Sequence, residues 1–268
     1  MVQLLLQKQM TTDQDGLMQA PELLSPSSIS TFQQCPMKFK YSKIDGLRDS
    51  PTEATMLGNF VHEILETMYA LPSEQRTQET ARQLARDLWA AKWEAEVTTL
   101  IRGEKELRLF RWSAWWCVEN LWMLEQPQEV EPWGIEEHVE GEISGIKLHG
   151  FIDRLHLDGD TAKVSDYKTG KTPKKNYIED KYFQLIIYTQ LLKSLGIEAK
   201  KFEIELLYLK DGVRFAKEVT AEDVQKVASV IAEVRAGIEE RCKNGYFEPN
   251  KTILCNWCGF KKICPAWQ

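Results

Sequence analysis

The spacing of hydrophobic and polar positions changes along the chain. Residues 1–24 show no period, are rich in Gln, Thr and Asp, and read as a loose N-terminal arm. The run Ser25-Pro26-Ser27-Ser28-Ile29-Ser30-Thr31-Phe32 reads as a helix start, with Ser27 or Ser28 as its cap and Ile29 and Phe32 on one face; Cys35-Pro36 ends it. Over residues 54–70, Leu57, Phe60, Val61, Ile64, Leu65 and Met68 recur at helical spacing. Residues 74–126 read as two long helices broken near Arg102-Gly103. They hold six of the nine tryptophans (Trp89, Trp93, Trp112, Trp115, Trp116 and Trp122), which points to an apolar helical lobe packed by aromatics. From about residue 133 the period falls to two. Strands are predicted over 134–143, 146–157 and 161–168, the last two joined by Asp158-Gly159-Asp160. A helix over 179–195 stops at Gly196. A strand over 201–209 meets a hairpin partner over 213–219 through Asp211-Gly212, and a helix over 221–243 precedes Gly245. The tail, 246–268, is short and cysteine-rich. This order predicts an α/β fold: a single domain over 25–268 with a helical insertion at 71–130.

Composition narrows the function classes. A chain of 268 residues, 43% hydrophobic, can bury a sizeable core without disulfides. A net charge of −6 excludes a uniformly basic nucleic-acid binder but leaves room for a local basic groove. No apolar run approaches the ~20 residues of a membrane span, and Leu4-Leu5-Leu6 is too short for a secretory signal. The expectation is a cytoplasmic protein with no membrane contact. Its six cysteines are then better read as ligands or core thiols than as disulfides.

Candidate chemistry concentrates in Gly150-Phe151-Ile152-Asp153-Arg154 and Val164-Ser165-Asp166-Tyr167-Lys168-Thr169-Gly170. Strand alternation puts Val164, Asp166 and Lys168 on one face, with Asp153 opposite them on the preceding strand. Two carboxylates beside a lysine make a hard oxygen site suited to Mg²⁺ or Mn²⁺. Asp-x-Lys by itself is equally a surface strand of alternating charge. His62 lies beside the stripe of Leu57, Val61, Leu65 and Met68, where a histidine is more often a boundary residue than a ligand. Gln184 and Tyr188, one helical turn apart, face one way. They read either as a helix boundary or as contacts to a phosphate or base.

Lys171, Lys174, Lys175 and Lys181, with Tyr177, follow Lys168; they are a solvated loop or, beside a metal, a footprint for a phosphate backbone. Phe39, Tyr41, Tyr177 and Trp257 are aromatics that could stack unpaired bases or simply pack. Gly170-Lys171-Thr172 looks like the end of a P-loop, but the position needing glycine is Ser165 and Pro173 follows, so no ATP site is expected. Cys255-x2-Cys258-x5-Cys264-Pro265 is a compact thiol set with Cys35 as a fourth member, and four thiolates suit zinc or an iron–sulfur cluster. Cys117 and Cys242 read as ordinary thiols.

In order, His62, Gly150-x-x-Asp153-Arg154, Asp166-x-Lys168-Thr-Gly and Gln184-x-x-x-Tyr188 resemble the motifs of the PD-(D/E)XK nuclease superfamily. The likeness is closest to its RecB-type iron–sulfur exonuclease branch, which includes CRISPR-associated adaptation nucleases, and it runs from about residue 25 to 265. The resemblance implies a restriction-endonuclease-like mixed sheet core flanked by helices, with the helical insertion and the cysteine-rich tail. It implies a metal-dependent deoxyribonuclease in which His62, Asp153, Asp166 and the Tyr167 carbonyl hold Mg²⁺ or Mn²⁺. Lys168 would position the attacking water, and Gln184 and Tyr188 would engage DNA. It assigns Cys35, Cys255, Cys258 and Cys264 to a structural [4Fe-4S] cluster. It suggests exonuclease action on single-stranded DNA ends, in recombination, repair or CRISPR spacer acquisition. A CRISPR adaptation protein or a helicase is the partner such relatives use, and ring-forming relatives make a homo-oligomer an option. The alternative is a non-catalytic DNA-binding or assembly subunit on the same fold and cluster. The second-motif carboxylate is Asp166 where many relatives carry Glu, and the superfamily accepts both.

Overall fold

The computed structural model describes residues 18–268; most of the N-terminal arm, residues 1–17, lies outside the described residues. The chain divides into two compact units. One comprises the N-terminal residues to Ser50, Glu140–Gly150 and Val224–Gln268; the other comprises Pro51–Val139 and Phe151–Asp223.

In the first unit, Leu24 is buried and pairs with Leu148 in an isolated parallel bridge. Helix α1 (Pro26–Gln34) starts one turn earlier than Ser27 or Ser28 would allow. Its cap is Ser25, whose hydroxyl accepts from the Ser28 N–H at 3.2 Å while Ser28 Oγ accepts from the Ser25 N–H at 2.8 Å. Pro26 explains the shift, because the first helical position needs no N–H and suits proline's fixed φ. Cys35 ends α1 and Pro36 opens the short α2 (Pro36–Phe39). Phe39 is fully buried and meets Phe32 edge to face at 5.4 Å, so it packs and offers no ring to a base. Most of α8 (Ala221–Asn244) belongs here; Val227, Ile231, Val234, Ile238 and Cys242 form its buried stripe, and Gly245 follows it at φ +68°. The tail is three single-turn 3-10 segments, Ile253–Trp257, Lys261–Ile263 and Pro265–Trp267.

In the second unit, α3 (Glu53–Tyr69) is capped by Thr52. Helix α4 (Gln78–Leu88) runs through a π-helical turn, Trp89–Trp93, into α5 (Glu94–Val97). After a break containing Arg102 and Gly103, α6 (Glu104–Leu124) follows. Phe60, Ile64, Leu65, Met68, Trp89, Trp93, Phe110 and Leu121 are among the side chains of one buried cluster joining these helices. The tryptophans do not all pack inward: Trp112 and Trp116 are exposed.

The sheet has the strand order β1 (Gly134–Ile143), β2 (Ile146–Asp158), β3 (Thr161–Lys168), β4 (Lys201–Tyr208), β5 (Val213–Glu218). The pairs β2–β3 and β4–β5 are antiparallel and β3–β4 is parallel, so the sheet is mixed. The parallel step needs a crossover. It is made by α7 (Phe183–Leu191), flanked by 3-10 turns Glu179–Tyr182 and Leu192–Leu195 in place of one continuous helix. Gly196 ends it at φ +71°, the left-handed cap that glycine adopts without strain. Helix α7 packs on β3 and β4, and Val164 to Tyr167 are buried on both faces of β3.

Candidate metal and catalytic site

Adjacent strands bring the carboxylates together. The β2–β3 register pairs Arg154 with Ser165, and one residue further along each strand stand Asp153 and Asp166. Asp153 Oδ2 accepts the Tyr167 N–H at 2.8 Å. Asp166 Oδ1 accepts the Gln184 amide at 3.2 Å. Asp166 Oδ2 is ion-paired with Lys168 Nζ at 2.6 Å. Helix α3 supplies His62, whose Nε2 lies 2.9 Å from the Tyr167 carbonyl oxygen. A carbonyl only accepts, so Nε2 carries the proton and Nδ1 of a neutral ring is a lone pair. That Nδ1 faces Asp153 Oδ2 at 3.5 Å and Glu136 Oε1 at 3.9 Å. Ligand atoms of His62, Glu136 and Asp153 all lie within 4.8 Å of one another.

The electrostatics of this cluster call for a cation. Burial and the facing Asp166 hold the Asp153 carboxyl well above the usual carboxylate range. Burial and the Asp153 charge push Glu136 up to about 7, with His62 working the other way. Burial works against the Lys168 charge, yet Asp166 and Asp153 outweigh it and hold the ammonium above its ordinary pKa. Two carboxyls that ionise reluctantly, a third buried carboxylate beside them and an imidazole lone pair aimed at acids form a donor set that fits a hard divalent ion.

Glu136 was not among the residues expected from sequence. It sits in β1 at φ +52°, the left-handed region that non-glycine residues rarely adopt. The only signal in the sequence is the consecutive pair Glu136-Glu137, which interrupts the alternation of β1.

The other expected residues fall in three places. Gln184 and Tyr188 lie beneath the carboxylates: Gln184 donates to Asp166, and Tyr188 is buried, its phenol pKa raised by burial and by Asp166. Gln184 is half-buried and Tyr188 is buried. Lys171, Lys174, Lys175 and Lys181 are exposed in the loop after β3, and Tyr177 there is 56% exposed. Behind the site, Arg154 is a buried hub. Its guanidinium donates to Glu125 at 2.5 and 2.9 Å, to Tyr69 at 2.8 Å, to Tyr167 at 2.9 Å and to Glu205 at 3.2 Å. Strand alternation accounts for the division, since Ser165 and Tyr167 serve this network while Asp166 and Lys168 serve the site.

In the first unit, Cys35, Cys255, Cys258 and Cys264 line one cavity with Tyr41, Phe260 and Trp267. The Asn250 N–H donates to Cys35 Sγ at 3.4 Å, and the Thr252 N–H to Cys255 Sγ at 3.4 Å. Among the described residues no three cysteine sulfurs lie within 4.8 Å of one another. Sulfurs on a single zinc ion, each at about 2.3 Å, would stand about 3.8 Å apart. Cys117 and Cys242 are buried elsewhere, and burial pushes the Cys117 thiol up to about 11, as expected of inert packing thiols.

Fold and site together define an α/β protein with a carboxylate–lysine site on two adjacent strands. Residues 23–265 match the PD-(D/E)XK nuclease superfamily, and the chain belongs to it. It is a nuclease by family. The chain is 24% identical to the gene 69 protein of Mycobacterium phage D29, over 92% of this chain and 97% of that protein. It is 21% identical to the gene 69 protein of Mycobacterium phage L5 over the same shares. Among solved structures, a protein of Eubacterium rectale provisionally named an exonuclease matches 92% of this chain and 87% of its own, at 16% identity and a TM-score of 0.46. The protein SSO0001 matches 93% and 89%, at 15% identity and a TM-score of 0.38. Among the described residues, no helix is long and apolar enough to cross a membrane.

Proposed function

We propose that the protein is a metal-dependent deoxyribonuclease acting as an exonuclease on single-stranded DNA ends, with Mg²⁺ or Mn²⁺ at the carboxylate cluster. The observation that carries this reading is the convergence of His62, Glu136 and Asp153 within 4.8 Å, beside Asp166 and Lys168. His62, Asp153, Asp166 and the Tyr167 carbonyl would hold the ion, with Glu136 as a further ligand in reach. When bound, the ion supplies a polarised phosphate oxygen and a water of lowered pKa. The chain does the rest. Lys168 aligns the attacking water and counters charge that develops on the phosphate. Gln184 fixes the rotamer of Asp166, Tyr188 backs Gln184, and Lys171, Lys174, Lys175 and Lys181 draw in the phosphate backbone, with Tyr177 beside them.

The four cysteines of the first unit would hold a structural [4Fe-4S] cluster. Supporting this are the convergence of all four cysteines on one cavity and the backbone N–H groups aimed at two of their sulfurs. The full-length likeness to phage proteins favours a stand-alone phage exonuclease over a CRISPR adaptation factor.

The test is degradation of end-labelled single-stranded DNA in Mn²⁺, Mg²⁺ and chelator by the chain and by Asp166→Ala and Lys168→Ala. Cleavage should require metal and fall by about 10³-fold or more in each variant, with the fold unchanged. Undiminished cleavage by both variants would sink the mechanism. Metal-independent DNA binding without cleavage under any metal would establish the non-catalytic assembly role instead.

A further inference from the structure

A second feature of the helical lobe is absorbed by none of this chemistry. Phe60, Arg82, Ala85, Arg86, Trp89, Arg111 and Trp115 line a groove of about 420 Å³, within the size range of small-ligand sites. Three of these seven residues are arginines and none is acidic, in a chain of net charge −6. Arg86 and Arg111 have no acid within 4 Å among the described residues; Arg82 has only distant ones, Glu79 at 3.9 Å and Glu119 at 3.8 Å. The guanidinium planes lie on the aromatics: Arg82 sits 4.7 Å from the centre of the Trp115 ring and Arg111 5.3 Å from that of Trp89.

An independent observation points to an occupant. Trp89 is 7% exposed, yet its Nε1–H has no acceptor among the described residues. A buried donor left unpaired is destabilising, so such groups are rare and call for an explanation. Trp89 also opens the π-helical turn, a local irregularity common at functional sites. The required acceptor is an oxygen, the required charge is negative, and the platforms are flat. A nucleotide meets all three conditions: its phosphates suit the arginines, and its base suits a tryptophan or a guanidinium plane. The groove also shares a helix with the candidate site. Phe60 and His62 are two residues apart on α3, about 200° around its axis, so the groove and the carboxylates occupy different faces of one helix.

We propose that this groove is a binding track for single-stranded DNA, with backbone phosphates on Arg86 and Arg111 and a base against the Arg82–Trp115 pair. The proposal rests on the deoxyribonuclease reading for its choice of ligand, and its test is independent of cleavage. Binding of a fluorescent oligothymidylate to the full chain is measured in chelator, where hydrolysis stops, for the unaltered chain, Arg86→Ala/Arg111→Ala and Trp115→Ala. An Arg102→Ala/Lys105→Ala chain, with the same charge change outside the groove, serves as control. The arginine pair should weaken binding about tenfold and reduce the slope of log affinity against log salt by about 1.4, the contribution of two single-strand phosphates. Trp115→Ala should weaken binding with no change in that slope. The control should move neither, and it should cleave single-stranded DNA in Mn²⁺ as the unaltered chain does. Equal losses in the control, unchanged binding in the arginine pair, or thymidine monophosphate binding as tightly as the oligonucleotide would overturn the track. A chain that binds through the groove but cleaves nothing in any metal would end the nuclease reading and leave the track standing.

Discussion

The carboxylate site of the second unit and the cysteine cavity of the first are held in opposite ways. Asp153 is tied to the Tyr167 N–H, Asp166 to Gln184 and Lys168, and the strands that carry them are pinned from behind by Arg154. These contacts are hydrogen bonds and ion pairs of a finished sheet, so the geometry does not wait for a ligand. The cysteine tail has no comparable support. Ile253, Leu254, Trp257, Ile263 and Trp267 are each more than 40% exposed, and Phe260 is its buried apolar anchor. Segments with so little buried surface need a cross-link to hold them. The comparison separates two uses of a metal: at the carboxylates it would serve chemistry on a structure already built, and at the cysteines it would be part of what builds the structure.

The sharpest way to break this contrast is through Arg154. Its side chain is 4% exposed, with Glu125 at 7% and Glu205 at 4%. Removing the cation leaves two buried acids with only the half-exposed Arg214, at 3.3 and 3.5 Å, for a partner, which costs about 3 kcal/mol. Arg154→Ala should therefore lower stability by that amount in urea unfolding and impair cleavage, although Arg154 lies behind the acids that would hold the ion. Chelator should leave the unfolding of the second unit unchanged in the unaltered chain. A second unit that loses stability in chelator as steeply as in Arg154→Ala would show that the carboxylate site is not preformed.

The converse experiment is at Cys258. The chain from Cys35 to Cys255 closes a very long loop, and constraining a loop of such length contributes on the order of 5 kcal/mol in the unfolded-chain entropy model. Cys258→Ala should remove visible absorbance and iron. It should also open the tail to proteolysis, while hydrogen exchange in β3 and β4 stays protected. A colourless native protein carrying one zinc ion would replace the cluster assignment. Loss of protection in β3 together with the tail would erase the contrast between the two units.

How far the sequence foretold this arrangement follows from the range of the signals. Alternation over a few residues placed β1 and β3 at their observed bounds and put Asp166 and Lys168 on one face. The cysteine set was legible because three of its members fall within ten positions. Glu136 was hidden by a local backbone inversion that no pattern of residue types encodes. The Arg154 hub was hidden because its partners lie 29 and 51 residues away. The arginine–tryptophan groove was hidden for the same reason, since Trp89 and Trp115 belong to separate stretches of helix and their shared lining is a product of packing. Gln184 and Tyr188 were found as a pair, but helical spacing could not tell that they would face the acids from below.

The smallest effect tests the same hub through pH. Burial alone would raise the Glu125 carboxyl. Its hydrogen bonds and charge pairing with Arg154, aided by Tyr69 and Arg214, more than offset this and hold its pKa below the ordinary value of 4.5. An acid whose folded pKa lies below its unfolded one binds fewer protons when folded, so stability increases with pH across that interval. The contribution is complete above the unfolded value and is lost as pH falls through the folded one. Unfolding in urea, followed in chelator from about pH 6 to pH 3, should show a loss of stability below about pH 4.5. Glu125→Gln should be less stable at neutral pH and should lose less on acidification, the two curves converging at the acid end. The difference in slope has the sign of a carboxyl held below its unfolded pKa. Parallel curves would mean that folding leaves the Glu125 pKa unchanged and that its pairing with Arg154 adds nothing to stability. Arg154 would then be held by its tyrosines and Glu205, and the preformed character of the carboxylate site would rest on those neutral hydrogen bonds and a single ion pair.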